Sequence, residues 1–480
     1  MILPIGFVVS AAFVLGVALD GSGLFMPVFV FLAGCATLVF LWTEKRSVLV
    51  VSILCLVVMV AGSLRVHGQS SYPDADSALV YATSFTGKLL DVPQNYPSTT
   101  QGRLELEEPV KSRVWAQIPP YPQVKQGDLI GVQGRFVPND QTAFRGASAQ
   151  RDTVGVLHGD EVWLRGSQAS ALQRSRETVN REVRERLQTR IPEPAGAFAT
   201  GVMLGDDGAM TEATRETFRV GGLTHMTAVS GVHVGVIAGV LLLLSRLGLV
   251  SRWWMLGLSI PLIWMFAYLV GMRPSVVRAS LMLTLLVAAH FLGRPRDTLN
   301  AVGIAAAAMI LIDPSFRNDI GFQLSVAATT GIALGVLLIG TQSHWHLVWV
   351  VPLAAQLATE PLILYHFGYY SLVSPFANIL AAPFLAITMA MSILTVVASF
   401  ASATLADALA FGTWVPAYAV VMIADASAGI PYLSGELRSI SLASIWSAYA
   451  ILLGSVAILF VYFPTEARGA EGDIELVHRV

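Results

Sequence analysis

Residues 201–239 read GVMLGDDGAMTEATRETFRVGGLTHMTAVSGVHVGVIAG. An amphipathic segment, Thr211–Phe218, gives way to Gly221-Gly222 and then to an apolar run that opens with His225, Ser230 and His233. Read as one helix, the two histidines fall about 80° apart around its axis, within one broad face. Ionisable side chains in an apolar helix face a cavity or a pathway rather than lipid. Two His with a Ser also admit a metal or a nucleophile, but a Ser–His pair needs an orienting acid and an oxyanion hole, and neither is visible nearby. Hydrogen-bonded packing of a broken helix is the bland alternative. Gly231, Gly235 and Gly239, at spacing four, are expected to let another helix approach closely.

The rest of the chain explains why polar groups stand in so apolar a setting. Of 480 residues, 54% are apolar and only 13% charged, with mean hydropathy +0.64. A soluble domain carries about a quarter charged residues, so an ordinary soluble chain and a disordered one are both excluded. Half of the charged side chains lie within residues 65–193. The composition is that of a membrane protein with one water-soluble insert. A net charge of −2 gives no bulk electrostatic case for a nucleic-acid partner. Arg far outnumbers Lys (Lys45, Lys88, Lys111 and Lys125 are the only lysines), which suits phosphate binding but equally follows from a GC-rich genome. Cys35 and Cys55 both lie in apolar runs, so the insert has no disulfide and no thiolate metal site.

A bilayer core takes about 20 apolar residues in a helix. Three runs precede the insert: Ile2–Leu19, Leu24–Trp42 and Ser47–Leu64. The first has no basic start or cleavage site, so it reads as retained rather than as a signal peptide. Candidates after the insert are Ala228–Leu244, Trp253–Val270, Val276–Leu292, Thr298–Ile312, Ile320–Gly340, Leu347–Phe367, Phe376–Phe400, Leu405–Ala424 and Ile440–Phe463. Pro261, Pro352, Pro361 and Pro383 are expected to break some into half-helices. Lys45 and Arg46 between the second and third runs put the N-terminus in the cytoplasm and the insert outside. The loops with Arg246/Arg252 and Arg294/Arg296 then fall inside, whereas Arg273, Arg278 and Arg317 fall outside, with Arg278 near enough to the edge to snorkel.

Residues 72–165 alternate with period two between Gly and Pro turns. The predicted strands are Ala78–Thr86, Gly102–Leu106, Val110–Ile118, Leu129–Val137, Val154–Leu157 and Glu161–Arg165. Five or six short strands fit an OB-type barrel, a fold that often binds single strands. Trp115, Tyr121, Phe136, Phe144 and Trp163 are candidates for stacking, or for filling the barrel. From Ala171 to Ile191 the pattern becomes a basic amphipathic helix, whose commonest meaning is contact with lipid headgroups or a solvated face.

Further costly polar groups follow in MRPSVVRAS (Arg273, Arg278), DPSFRNDIGFQLSV (Asp313, Asp319, Gln323, Ser325) and QLATEP (Gln356, Glu360), and at Asn378; Gly331 with Gly335 again suits close helix approach. Taken together, LTHMTAVSGVHVGVIAG resembles the hallmark segment of the ComEC family of competence membrane channels. LGDD, RPSVVRASLM, FQLSVAATTGI and QLATEPLILYHFG…NILAAPF follow in family order across residues 195–395. The resemblance implies an inner-membrane channel importing single-stranded DNA during natural transformation. By position, His225, Ser230, Gly231 and His233 match the hallmark, Arg278 the Arg-Ala element, and Gln323 and Ser325 the Gln-Leu-Ser element. Glu360 stands where a neutral residue is expected. The metallo-β-lactamase-like nuclease domain of many members is expected to be missing, since the only H-x-H is His344-Trp345-His346 with no Asp-His after it, and there is no P-loop.

The expected architecture is an α-helical polytopic membrane protein of about twelve candidate spans, some of them half-helices, with an extracytoplasmic all-β OB-like domain. Its parts are three spans in 1–64, the OB-like domain in 65–170, a basic amphipathic linker helix in 171–194, the channel domain in 195–463 and a tail in 464–480. The candidate pathway lining is His225, Ser230, Gly231, His233, Arg273, Arg278, Asp319, Gln323, Ser325, Glu360 and Asn378, with no catalytic residue, metal or cofactor. Implied partners are single-stranded DNA, the lipid bilayer, an extracytoplasmic DNA receptor, a separate nuclease, a cytoplasmic motor or strand-binding protein, and further copies of the chain. Two rivals stay open. A small-solute secondary transporter also uses broken helices and midplane polar groups, and an intramembrane enzyme would use His225 and His233.

Overall fold

The computed structural model describes residues 75–455 apart from 96–97, 139–152, 206, 228–229, 292–297, 314–315, 317–318, 340–343, 431, 438–440, 442–443, 446 and 453. The three N-terminal candidate spans and part of the last one lie outside the described residues. A short helix, α1 (Ala75–Tyr81), leads into β1 (Ser84–Leu89), β2 (Gln94–Asn95), β3 (Thr100–Glu108), β4 (Ser112–Ile118), β5 (Asp128–Pro138) and β6 (Gly155–Ser167). Strand order β1-β5-β6-β4-β3, with β3 returning to β1, closes five strands into a barrel. The pair β4–β6 is parallel and the others are antiparallel. That Greek-key closure is the arrangement of an OB-type barrel. Alternate residues of β3 are buried, as the period-two pattern requires, and Phe85, Leu104, Val114, Ile130, Val132 and Leu157 fill the interior.

Two strand predictions are corrected. Ala78–Thr86 is not one strand: its first residues belong to α1, where Leu79 plugs the barrel core. Val154–Leu157 and Glu161–Arg165 are not separate either, because β6 runs through Gly159-Asp160 with a register shift opposite Gln133/Gly134. The glycines there mark a bulge rather than a turn. A Cβ on Gly134 would lie 2.1 Å from the His158 carbonyl oxygen.

The remainder is helical: α2 (Ala171–Gln188), α3 (Ala195–Leu204), α4 (Glu212–Val220), α5 (Thr224–Thr227), α6 (Gly231–Arg246), α7 (Arg252–Leu269), α8 (Pro274–Phe291), α9 (Thr298–Ile312), α10 (Ile320–Ile339), α11 (His344–Phe367), α12 (Ser374–Ala398) and α13 (Ala403–Ala428). A two-stranded hairpin pairs β7 (Tyr369–Ser371) with β8 (Ser434–Glu436). Among the described residues, four helices are long and apolar enough to cross a membrane: Pro274–Phe291, His346–Phe367, Ser374–Ala398 and Ala403–Ala428. Five apolar helices are shorter. The eight candidate spans between 228 and 428 all coincide with helices to within a few residues. Their prolines do not break them: Pro261, Pro352, Pro361 and Pro383 are carried inside continuous helices, as neighbouring helices in an apolar bundle permit.

Glycine spacing succeeds in one place and fails in another. Gly331 and Gly335 of α10 press against α11, where a Cβ would come within 2.5 Å of Ala358 Cβ and 2.8 Å of Ala354 Cβ. Gly235 and Gly239 of α6, by contrast, are exposed with no atom within 4 Å, so this spacing seats no described helix beyond Gly231.

Helix α2 joins the two regions. Ser170 and Gln173 form its capping box. Near its start Arg176 donates to Gln126 of the barrel (2.7 Å), Tyr268 donates to the Leu172 carbonyl (2.7 Å) and Asn180 donates to the Leu269 carbonyl (3.0 Å). At its far end Arg186 bonds Ser399 (2.7 Å) with its guanidinium 3.9 Å from the centre of the Phe400 ring, and Arg190 pairs with Asp407. The basic helix is thus strung across two interhelical turns, after α7 and after α12.

Candidate polar site among the apolar helices

The hallmark stretch does not fold as one helix. Helix α4 ends at Gly221-Gly222. Gly222 has φ +72°, and a Cβ on it would lie 2.4 Å from Ser374 Cβ, so both backbone and space demand glycine. Ser374 Oγ donates to the Gly222 carbonyl (3.0 Å) and Tyr369 Oη to the Val220 carbonyl (2.9 Å). Arg219 stacks on Tyr369 and pairs with Glu216 and Glu436. These contacts pin the end of α4 to the β7–β8 hairpin and to the start of α12.

His225 then sits on the single turn of α5, and the chain extends at Ser230 (φ −134°, ψ 179°) before α6 begins at Gly231. Ser230 is the N-cap of α6. Its Oγ accepts from the Val232 N–H (3.4 Å), and its own N–H donates to His233 Nδ1 (3.0 Å). This is a capping box with His in the place usually held by Glu or Gln. Because Nδ1 accepts, the neutral His233 ring carries its proton on Nε2, and that atom has no partner among the described residues. The ring is 1% exposed and stacked on Phe266. The expected common helical face of His225 and His233 is therefore replaced by a helix break, with Ser230 spent on the cap. His225 is exposed on α5, and it meets Asn378 of α12, whose amide donates to the Ser374 carbonyl (2.8 Å).

Arg278, on the second turn of α8, is 4% exposed and does not snorkel. Its guanidinium donates to Thr329 Oγ1 (2.6 Å), to Ser325 Oγ and to Met282 Sδ (3.3 Å), so α8 and α10 are tied through neutral groups. Among the described residues no carboxylate acts on it. A Cβ on Gly231 would stand 3.7 Å from its Nη2, which puts the first residue of α6 against the same guanidinium. Gln323 Oε1 faces His366 Nε2 of α11 at 3.1 Å, and the Gln356 amide donates to the Glu360 carboxylate. Arg273 is not part of this cluster: it is half-buried in the turn before α8, where its carbonyl accepts from Val276 and Val277. Asp319 Oδ1 accepts the Phe322 N–H (2.8 Å) at the start of α10. Sequence reading missed Thr329 and His366. Each carried a signal, Thr329 as the residue one turn beyond Ser325 and His366 as an ionisable group in an apolar run.

A model of the family described as "Competence protein" matches residues 202–464, more than half of the chain and the whole of this site. The chain belongs to the Competence protein family. It is 28% identical over 198 residues to ComE operon protein 3 of Bacillus subtilis (strain 168), covering 40% of this chain. It is 28% identical over 251 residues to Competence protein ComA of Neisseria gonorrhoeae, covering 48% of this chain. An uncharacterized protein of Aquifex aeolicus (strain VF5) is 33% identical over 161 residues, 33% of this chain. The aligned stretches span 25%, 34% and 36% of those relatives' own lengths. No solved structure matches.

What this Competence-family site offers chemically is hydrogen bonding: hydroxyls, amides, three histidines, the Asp319 and Glu360 carboxylates and one buried cation that, among the described residues, pairs with neither carboxylate. No three of His, Cys, Asp and Glu gather as metal ligands among the described residues. In the barrel, Phe136 is 3% exposed and belongs to the core, and Trp115 is 4% exposed and packs with Val156 in a separate buried cluster, so neither offers an open stacking face. Trp163 lies over Gly131, Tyr121 is exposed, and Phe144 is outside the described residues.

Proposed function

We propose that the chain is the inner-membrane conduit through which one strand of external DNA enters the cell during natural transformation. The observation that carries this reading is the polar site just described. Within an apolar bundle of a Competence-family protein, the α6 cap, the Arg278–Ser325–Thr329 network and the His225–Asn378 pair come together with no acid among the described residues to neutralise the cation. A strand bearing one charge per nucleotide needs positive potential and hydrogen-bonding groups, but no deep trap, across about 30 Å of hydrocarbon. His225, Ser230, Gly231, His233, Arg278, Gln323, Ser325 and Asn378 line the pathway in this reading. Arg273 stands at its mouth, and Asp319 and Glu360 at its margins.

The remaining assignments belong to the same reading. The protein spans the inner membrane about twelve times, with residues 1–64 and 195–463 in the bilayer and the tail 464–480 beyond it. The N-terminus is cytoplasmic and 65–193 extracytoplasmic, so that α2 (within 171–194) lies at the outer surface. The barrel receives the strand from an outer DNA receptor. Cutting and pulling fall to a separate nuclease and to a cytoplasmic motor or strand-binding protein, with the channel itself non-catalytic and able to self-associate. The test is uptake of labelled DNA by a competent strain lacking this gene. Surface-bound label should persist while protected cytoplasmic label falls to background; normal cytoplasmic uptake would sink the reading.

A further inference from the structure

We propose that the Arg278 guanidinium and the N-terminus of α6 together form a fixed site for a single phosphodiester anion. This rests on the reading of the bundle as a strand pathway and specifies what is held there. Arg278 is 4% exposed; among the described residues its Nη atoms bond only Thr329, Ser325 and Met282, and its equally buried Nε has no partner. A full charge withdrawn from water is normally met by an acid, or by the ion that the place is built to receive. Among the described residues no acid acts on this one.

The neighbour it does have is electrostatically of the same sign. Gly231 opens a 16-residue helix, and Nη2 stands 3.7 Å from where its Cβ would be. A helix N-terminus carries roughly half a positive charge, which favours an anion and disfavours a cation. Two positive ends therefore abut without compensation. The α6 cap adds no negative charge, because it uses the Ser230 hydroxyl and the neutral His233 ring rather than a carboxylate. His233 Nε2, on the same first turn, is a buried donor without an acceptor among the described residues. A phosphodiester matches this arrangement: one negative charge against one guanidinium, and two free oxygens for the surrounding donors. A phosphate monoester would bring a second charge that nothing here balances.

The test uses the full chain in lipid nanodiscs, with dimethyl phosphate as probe and sodium chloride at equal ionic strength as control. The wild-type unfolding midpoint should rise with dimethyl phosphate and not with chloride. Arg278→Gln should abolish the rise and Arg278→Lys keep part of it. Should Arg278→Gln fail to fold, Gly231→Val leaves the guanidinium in place and fills the space before it, and should also lose the response. Binding of a single-stranded oligonucleotide should show its salt slope reduced by about 0.7 in Arg278→Gln, the signature of one lost phosphate contact. Identical dimethyl phosphate responses in wild type and variants, or no wild-type response at about 0.1 M, which would saturate a millimolar site, overturn the proposal. An Arg278-dependent response with strand import unaffected by Arg278→Gln would uphold the anion site and overturn the pathway reading instead.

Discussion

Arg103 in the barrel and Arg278 in the bundle carry the same charge and are treated in opposite ways. Arg103 bonds Asp91 through two nitrogens at 2.5 and 2.6 Å, and the pattern repeats at Arg113–Glu105 and, on the polar helices α2 and α4, at Arg186–Glu182 and Arg215–Glu212. Arg278 is more deeply buried than any of these and, among the described residues, has only hydroxyls and a thioether. Exposed ion pairs form readily and contribute about 0–1 kcal/mol each. A buried cation without an acid costs several kcal/mol, so it is retained for what it does and not for stability. In the barrel, charge decorates a fold that hydrophobic strands already determine; in the bundle, charge is the feature around which the helices are arranged.

The largest effect that would break this contrast is at Arg278. Arg278→Met should leave the unfolding free energy of the purified protein equal to wild type or above it by up to about 4 kcal/mol, while transformation falls by about 1.5 to 3.5 orders of magnitude, estimated as one lost charged contact of roughly 2–5 kcal/mol. A destabilised protein with proportionate loss of uptake would make Arg278 a structural residue. Next is Gly222→Ala, which places a methyl 2.4 Å from Ser374 Cβ at a positive φ. It should cost more than about 1 kcal/mol and lower abundance, and normal abundance would mean that the α4–α12 contact is dispensable.

The α6 cap separates fold from use more finely. His233→Leu removes the acceptor of the Ser230 N–H and should cost about 1–3 kcal/mol. His233→Gln keeps a capping acceptor and should restore abundance, and DNA entry per folded molecule then reads what Nε2 contributes. Full uptake with Gln would reduce His233 to a cap. The smallest effect belongs to the barrel: Arg113→Gln, losing a 3.5 Å contact with Glu105, should change stability by no more than about 1 kcal/mol, measured by denaturant unfolding. A larger loss would show that surface pairing matters more in the barrel than the contrast allows.

Helix positions were legible because apolar length is a strong signal, and Thr298–Ile312 was read to the residue. The barrel was legible as a class, since period two survives in β3 and β5, but Gly159-Asp160 gave a turn signal where the strand merely bulges. The break at Ser230 was hidden because Thr227–Val234 is apolar enough to continue a helix, and Ser at an N-cap looks the same as Ser on a helical face. Residue types in the site could be read one by one. Their partners could not: Arg278 meets Ser325 and Thr329 across nearly fifty residues of chain, and no local pattern encodes that distance. The prolines misled for a related reason, since bundle packing outside the local sequence supports a helix through Pro361 and Pro383.

The proposed passage of a strand through this polar site can be tested directly. A photo-crosslinking amino acid at position 329, beside the guanidinium, would be activated while competent cells take up end-labelled DNA. Crosslinks to a single strand, lost when uptake is blocked and absent from a control position on the outward face of α6 at 239, are the expected result. Efficient uptake with no crosslink at 329, or equal crosslinking at 329 and 239, would contradict a strand path past Arg278.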